Sequence, residues 1–205
     1  MTEQTILFYD TETSGFRNKS KNYEDPTQAW VVQLGWMLSK GDQVLSTGNF
    51  IVRPNYLNIN KGLDFIRSIN PKAAEVHGIS VDTAKQYGHP EDDVTSMFVQ
   101  DHLNADLLVC HNYAFDIEFL KDMIARWDCV TEAINFSERP HYCTMKSSTE
   151  FCALPHARWK TSFKWPKLVE LHEKLFGEGF DGAHDALADV RATRRCYYEL
   201  QKRGI

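Results

Sequence analysis

Thr5-Ile6-Leu7-Phe8-Tyr9-Asp10-Thr11-Glu12-Thr13-Ser14-Gly15 is the stretch on which both the fold and the chemistry turn. Its apolar half is too short for a free-standing helix and rich in strand formers, so it reads as a buried strand. The strand then turns acidic. Side chains in a strand repeat every two residues, which puts Asp10 and Glu12 on one face. Neighbouring carboxylates repel each other, and a hard divalent cation that prefers oxygen, Mg²⁺ or Mn²⁺, relieves the repulsion. Gly15 allows a ligand or another backbone to approach closely. Acid-x-acid pairs alone are common: 28 acids in 205 residues give roughly four by chance, and three occur, Asp10/Glu12, Glu91/Asp93 and Asp116/Glu118. The first differs by its place at the end of an apolar strand, where α/β folds put their sites.

The bulk composition bounds the rest. A chain of 205 residues suits one domain over 1–205. Its 42% apolar and 25% charged residues are those of an ordinary soluble globule. No apolar run reaches the length of a membrane span, and the N-terminus lacks a basic-then-apolar signal sequence. The five cysteines (Cys110, Cys129, Cys143, Cys152, Cys196) are odd in number and form no CxxC pair, which fits a reducing, cytoplasmic home. The net charge of -5 argues against a protein that coats DNA non-specifically. It does not argue against an enzyme that gathers carboxylates around metals and grips only a chain end.

Outward from the first strand, residues 16–28 read as a long polar loop, either a solvated insertion or a substrate-facing flap. Ala29–Ser39 and Gln43–Arg53 complete a three-stranded meander. Asn70-Pro71 opens a short helix, Lys72–Val76, that runs into His77. Pro90–Leu103 has helical spacing, with Val94, Met97, Phe98 and Leu103 available to one face. Ala105–Cys110 is a short buried strand. His111-Asn112-Tyr113-Ala114-Phe115-Asp116 begins a helix reaching about Trp127, with Asp116 in its first turn. There Asp116 either complements the helix dipole or projects toward Asp10. Tyr142–Thr144 is one more short strand. Residues 139–167 hold six basic residues against one acid, interleaved with Tyr142, Phe151, Trp159, Phe163 and Trp165, the composition of a single-strand groove. An amphipathic helix follows over Trp165–Phe176, then glycines, then a final helix from about Asp185 toward Lys202. Strands first and alternating helices and strands afterwards indicate a mixed-sheet α/β domain.

His184-Asp185-Ala186-Leu187-Ala188-Asp189 is the second informative stretch. On one continuous helix, residues five apart point about 140° away from each other. If Asp185 instead caps the helix, His184 lies on a mobile glycine-rich loop and is free to meet Asp189. A histidine so placed suits a proton carrier.

Four stretches together carry a resemblance: Phe8-x-Asp10-Thr11-Glu12-Thr13-x-Gly15, Val76-His77-Gly78-Ile79, His111-Asn112-x-x-Phe115-Asp116-x-x-Phe119 and His184-x-Ala186-x-x-Asp189. In this order they resemble the DEDDh family of 3′→5′ exonucleases, with an RNase H-like fold of a mixed five-stranded sheet flanked by helices. Cys143-Thr144-Met145-Lys146 resembles small stand-alone members such as exonuclease X, and the flap ending at Pro26-Thr27-Gln28 is similar to exonuclease I. The stretch from Cys152 to Trp165 departs from the family pattern.

The resemblance implies two metal ions, Mg²⁺ or Mn²⁺. Asp10, Glu12 and Asp189 would hold one, with Asp10 bridging to a second at Asp116. It implies His184 as the base, and Thr13, Gly15, His77, Asn112 and Phe115 as the substrate shell. The expected substrate is the 3′ end of single-stranded DNA, cut to mononucleotides. The alternatives are an exoribonuclease that trims short RNA, like oligoribonuclease or RNase T, and a catalytically silent nucleic-acid-binding module. The intact set of four acids and a histidine speaks against silence. The lack of a G-x-S-x-G stretch speaks against a metal-independent hydrolase.

Overall fold

The computed structural model describes residues 4–58, 63–127, 130–156 and 162–205. The chain opens with β1 (Thr5–Thr13), β2 (Val31–Lys40) and β3 (Gln43–Ile51), then a hairpin of β4 (Asn55–Asn58) and β5 (Leu63–Ile66). Helices α1 (Pro71–His77), α2 (Val81–Tyr87) and α3 (Glu91–Leu103) lead to β6 (Leu107–Cys110). Then come α4 (Tyr113–Ala125), α5 (Val130–Glu138), β7 (His141–Cys143), α6 (Thr144–Ser147), α7 (Thr149–Cys152), α8 (Leu168–Phe176) and α9 (Ala186–Lys202). The main sheet has the order β3-β2-β1-β6-β7. Its first three strands are antiparallel, while β6 runs parallel to both β1 and β7. This is the mixed five-stranded sheet with helical cover that the RNase H-like resemblance implied.

β1 is central and covered on both faces, which is why its apolar half is a continuous run rather than an alternation. Phe8, with Ile6, packs against Val190 and Tyr197 of α9. Leu7 and Tyr9 face the other way, into a larger core with Phe98, Phe119 and Phe136 from α3, α4 and α5. Each such side chain contributes about 1.5–3 kcal/mol when fully buried. The same two-residue period then delivers Asp10 to the α9 face and Thr11 to the α4 face. No helix of the described residues is long and apolar enough to cross a membrane.

Several elements depart from expectation. The β4–β5 hairpin and the helices α2, α5, α6 and α7 are additions to the expected elements. In α3, Val94, Phe98 and His102 form the buried stripe, whereas Met97 and Leu103 face solvent. The four-residue spacing of that stripe outweighs the greater hydrophobicity of Leu103, and the His102 ring lies edge-on to Phe136 at 4.9 Å. The helix expected from Trp165 starts instead at Leu168. Pro166 disfavours helical backbone at Trp165, and the Lys167 amide donates to the Glu170 carboxylate at 2.8 Å, closing the first turn.

Glu91, from the second acid pair, is structural. It is buried between Arg126 and Arg67, which donate to its carboxylate at 2.7 and 3.1 Å. Burial alone would raise its pKa, but the two guanidiniums hold it down to about 2. The network ties the start of α3 to the C-terminal end of α4 and to the segment after β5.

Candidate active site

Four acidic side chains converge where the C-terminal ends of β1 and β6 meet the N-termini of α4 and α9. Asp10 and Glu12 come from β1, Asp116 from the first turn of α4, and Asp189 from the first turn of α9. Thr11 points to the opposite face of β1 from Asp10, and its hydroxyl donates to Asp116 at 2.6 Å. That bond fixes the buried Asp116 carboxylate at the edge where the two faces of the sheet meet.

The approach of α9 depends on a residue opposite Asp10. Gly35 of β2 pairs with Asp10 in the sheet. A Cβ on Gly35 would lie 2.6 Å from the Ala186 carbonyl carbon and 2.7 Å from the Leu187 nitrogen. The missing side chain is therefore what lets the start of α9 rest directly on the sheet. Asp185 caps that start, accepting from the Ala188 amide at 3.1 Å. Gln33, next on the same strand face, holds the cap in place: its amide donates to Asp185 at 2.9 Å and its carbonyl oxygen accepts from the Ala186 amide at 3.4 Å.

With Asp185 as cap, His184 lies outside the helix. It holds left-handed backbone, φ 72°, a rare conformation for a residue with a side chain. The turn brings a His184 ring nitrogen and carboxylate oxygens of Glu12 and Asp189 within 4.8 Å of one another. The His184 amide also donates to Asp189 at 3.4 Å. Asn112, before α4, is left-handed as well, φ 78°.

The electrostatics of the protein without cations are unfavourable. Burial, then the charges of Asp116, Asp189 and Glu12, hold the Asp10 carboxyl well above the usual carboxylate range. Burial and then Asp189, Asp116 and Asp185 push Glu12 up to about 8. Burial raises Asp189 and also Asp116, the latter against the pull of the Thr11 hydrogen bond. The Asp189 Oδ1 atom is buried with no hydrogen-bond partner. An orphaned carboxylate oxygen beside three mutually repelling acids is the donor set a hard divalent cation fits.

The remaining shell residues surround this edge. Thr13 is buried and its hydroxyl donates to the Gly15 carbonyl at 3.1 Å. Gly15 has φ 146°, in the range that favours glycine. His77, at the end of α1, neighbours the Thr13 backbone and His184, and burial followed by the His184 charge lowers its pKa. Phe115 is half-buried on α4 with its ring 4.9 Å from Phe119.

A model of the exonuclease family matches residues 7–197. The chain belongs to this exonuclease family. A Mycobacterium tuberculosis protein named "Putative bifunctional exonuclease/endonuclease protein" is 26% identical over 98% of the chain. The chain spans 27% of that protein's length. Among solved structures, exonuclease I superposes with a TM-score of 0.72 at 19% identity, over 98% of this chain and 41% of that one. E. coli exonuclease I in complex with a dT13 oligonucleotide gives 0.71 at 21% identity, with the same coverage of both chains. The exonuclease domain therefore shares the exonuclease I fold while spanning about two fifths of that enzyme.

Three features of this candidate site escaped the sequence reading. Gly35 and Gln33 act through contacts with α9, which no local pattern announces. Phe16 is 91% exposed beside Gly15, with its ring 6.3 Å from Phe115 and edge-on to it. An aromatic directly after a glycine at a strand end was the available signal. The 16–28 loop is built rather than merely solvated. Arg17 donates to Asp122 of α4 through Nε at 2.7 Å and through a terminal nitrogen at 3.1 Å. Gln28 is buried and bonds the backbone of Asn18, Lys21 and Ala29.

The groove expected over 139–167 keeps Lys146, Phe163, Trp165 and Lys167 exposed, but several of its other groups are engaged elsewhere. The Tyr142 hydroxyl donates to the Ile205 carbonyl and its ring meets Tyr197 edge-on. Phe151 lies beneath Lys174 and Arg203. Arg139 turns inward to the Ala105 carbonyl, and Lys164 pairs with Glu170. Tyr142 and Phe151 pack against the α8–α9 cluster, while Arg139 is taken up by the connection between α3 and β6. Arg158, Trp159 and Lys160 lie outside the described residues.

Proposed function

We propose that this exonuclease removes nucleotides from the 3′ end of single-stranded DNA, using two Mg²⁺ (or Mn²⁺) ions. The convergence of four carboxylates from three separate elements beside a histidine on a non-helical turn carries the reading. A structure that only bound nucleic acid would gain nothing from acids whose ionisation it must suppress.

Asp10, Glu12 and Asp189 would hold one ion, and Asp10 with Asp116 the other. The ions would supply Lewis acidity at the attacking and leaving oxygens of an in-line phosphodiester displacement. His184 stands outside the helix, within reach of the same point as Glu12 and Asp189, and takes the proton of the attacking water on a ring nitrogen. Asp185 caps α9, which leaves His184 outside the helix. Phe115 and the exposed Phe16 offer ring faces for the terminal base, while Thr13, Gly15, His77 and Asn112 line the approach of the last nucleotide.

A narrow carboxylate pit at a strand end admits a nucleotide that has left its stack, which costs least when the base is unpaired. That favours a single strand. The complexes of E. coli exonuclease I with oligonucleotides such as dT13 support DNA by analogy of fold.

The test is a gel of oligonucleotides labelled at either end, as DNA and as RNA. DNA labelled at its 5′ end should give a descending ladder, and DNA labelled at its 3′ end should release labelled mononucleotide at once. Mononucleotide released first from the 5′ end would overturn the polarity. RNA cut as fast as DNA would overturn the DNA preference in favour of a trimming ribonuclease.

A further inference from the structure

Residues 162–167 run extended between α7 and α8. The segment bridges to Pro155 at Phe163, and the Lys164 amide donates to the Leu154 carbonyl at 2.9 Å. Extended backbone alternates its side chains. Pro166 is buried, and Lys164 pairs with Glu170 while its side chain stays 39% exposed. Phe163, Trp165 and Lys167 turn outward, with Phe163 40% and Trp165 61% exposed. Two large aromatics on one outward face cost hydration free energy that a fold does not spend on packing.

The ribbon is also fastened to the active-site edge. His111, directly after β6, donates from Nε2 to the Pro166 carbonyl at 3.0 Å and bonds the Thr144 hydroxyl through Nδ1 at 2.9 Å. A carbonyl can only accept, so Nε2 carries the proton. Burial lowers the His111 pKa to about 4, which keeps the ring neutral and leaves Nδ1 to accept from Thr144. One residue further on is Asn112, and Asp116 follows in the first turn of α4. Trp165 is thus held beside the end of β6 by a bond to a rigid strand terminus. Two lysines accompany it: Lys167 next to Pro166, and Lys146 two residues beyond Thr144, both exposed.

We propose that Phe163 and Trp165 form a stacking platform for the nucleotides that follow the terminal one, with Lys146 and Lys167 meeting their phosphates. The ring faces accept any base, so the platform binds a single strand without reading its sequence. A duplex hides those base faces in its stack, so the platform disfavours it. His111 acts as a positioning residue that sets the platform against the carboxylates. The proposal rests on the exonuclease reading above for its substrate.

The test separates the two. Parent, Trp165→Ala, Trp165→Phe and Phe163→Ala/Trp165→Ala are assayed on long oligothymidylate and on the p-nitrophenyl ester of thymidine 5′-phosphate, which reaches only the catalytic pit. On the oligomer, the alanine variants should show KM raised roughly tenfold with kcat little changed, and the phenylalanine variant should keep most of the affinity. All should hydrolyse the ester at the parent rate. An unchanged KM on the oligomer would overturn the platform, as would an equal loss on the ester. If no substrate were cut, the exonuclease reading would fall instead. The platform would then be judged on fluorescence anisotropy of labelled oligothymidylate in Ca²⁺, where equal affinity of parent and double variant sinks it. A parent dimer that Trp165→Ala makes monomeric, with KM unchanged, would assign the surface to a second copy of the chain and overturn the proposal.

Discussion

Replacing Glu12 with glutamine should stabilise the cation-free protein while abolishing hydrolysis. Burial and the neighbouring acids raise the Glu12 carboxyl from 4.5 to about 8. Its folded-state pKa lies above the unfolded one, so its stabilising contribution is complete below about pH 4.5 and is lost as pH rises through about 8. At about 1.36 kcal/mol per pH step the ceiling is roughly 5 kcal/mol. Glu12 keeps part of its surface in water and shares the field with three other acids, so screening reduces this to about 1–2 kcal/mol. For a chain of this size that is a rise in Tm of roughly 2–8 °C at pH 8.5. Thermal unfolding in chelator should show this gain for Glu12→Gln over the parent, shrinking toward zero at pH 5. Added Mg²⁺ should reverse the order, because the parent then gains ligand-linked stability that the variant lacks. A variant that melts below the parent in chelator at pH 8.5 would refute the claim that the acids repel one another.

Gly35→Ala should cost about 1–3 kcal/mol by overpacking and lower kcat by a larger factor than that destabilisation explains, since it displaces the helix start carrying Asp189; parental turnover would show that α9 tolerates the shift. Asp189→Ala should lose activity by orders of magnitude with the fold intact, whereas Asp185→Ala should mainly cost stability, about 1 kcal/mol for a lost cap. Unfolding curves and turnover measured side by side decide, and exchanged phenotypes would contradict the assigned roles. His184→Ala should lower the rate by orders of magnitude and be partly rescued under alkaline conditions, where hydroxide needs no base; the absence of that rescue would place the proton elsewhere.

How much of this was legible follows from where each signal resides. β1 announced itself because a strand covered on both faces is written as an unbroken apolar run. Asp10 and Glu12 were legible because they end an apolar strand, and Asp116 and Asp189, each three residues inside the start of its helix, were legible through the family resemblance. The cap at Asp185 was legible once the resemblance required His184 and Asp189 to share a centre, since only an interrupted helix allows that. Gly35 was not, because its role is a contact with the backbone of Ala186, and sequence shows no partner for a missing side chain. Part of the groove expected over 139–167 was lost for the converse reason. Composition counts Tyr142, Phe151 and Arg139 as available, while packing against α9, the C-terminal residues and Ala105 removes them. His102 displaced Leu103 from the α3 stripe because spacing, not hydropathy, decided which residue met Phe136.

The central claim, that Asp10, Glu12, Asp116 and Asp189 form one site for divalent cations, is tested most directly by calorimetric titration of Mn²⁺ into the chelator-stripped protein. The expected result is two ions per chain, falling to weak or no binding in Asp10→Asn, the acid shared by both positions, with Asp116→Asn losing one ion. Parental binding in Asp10→Asn, or no saturable binding by the parent, would contradict it.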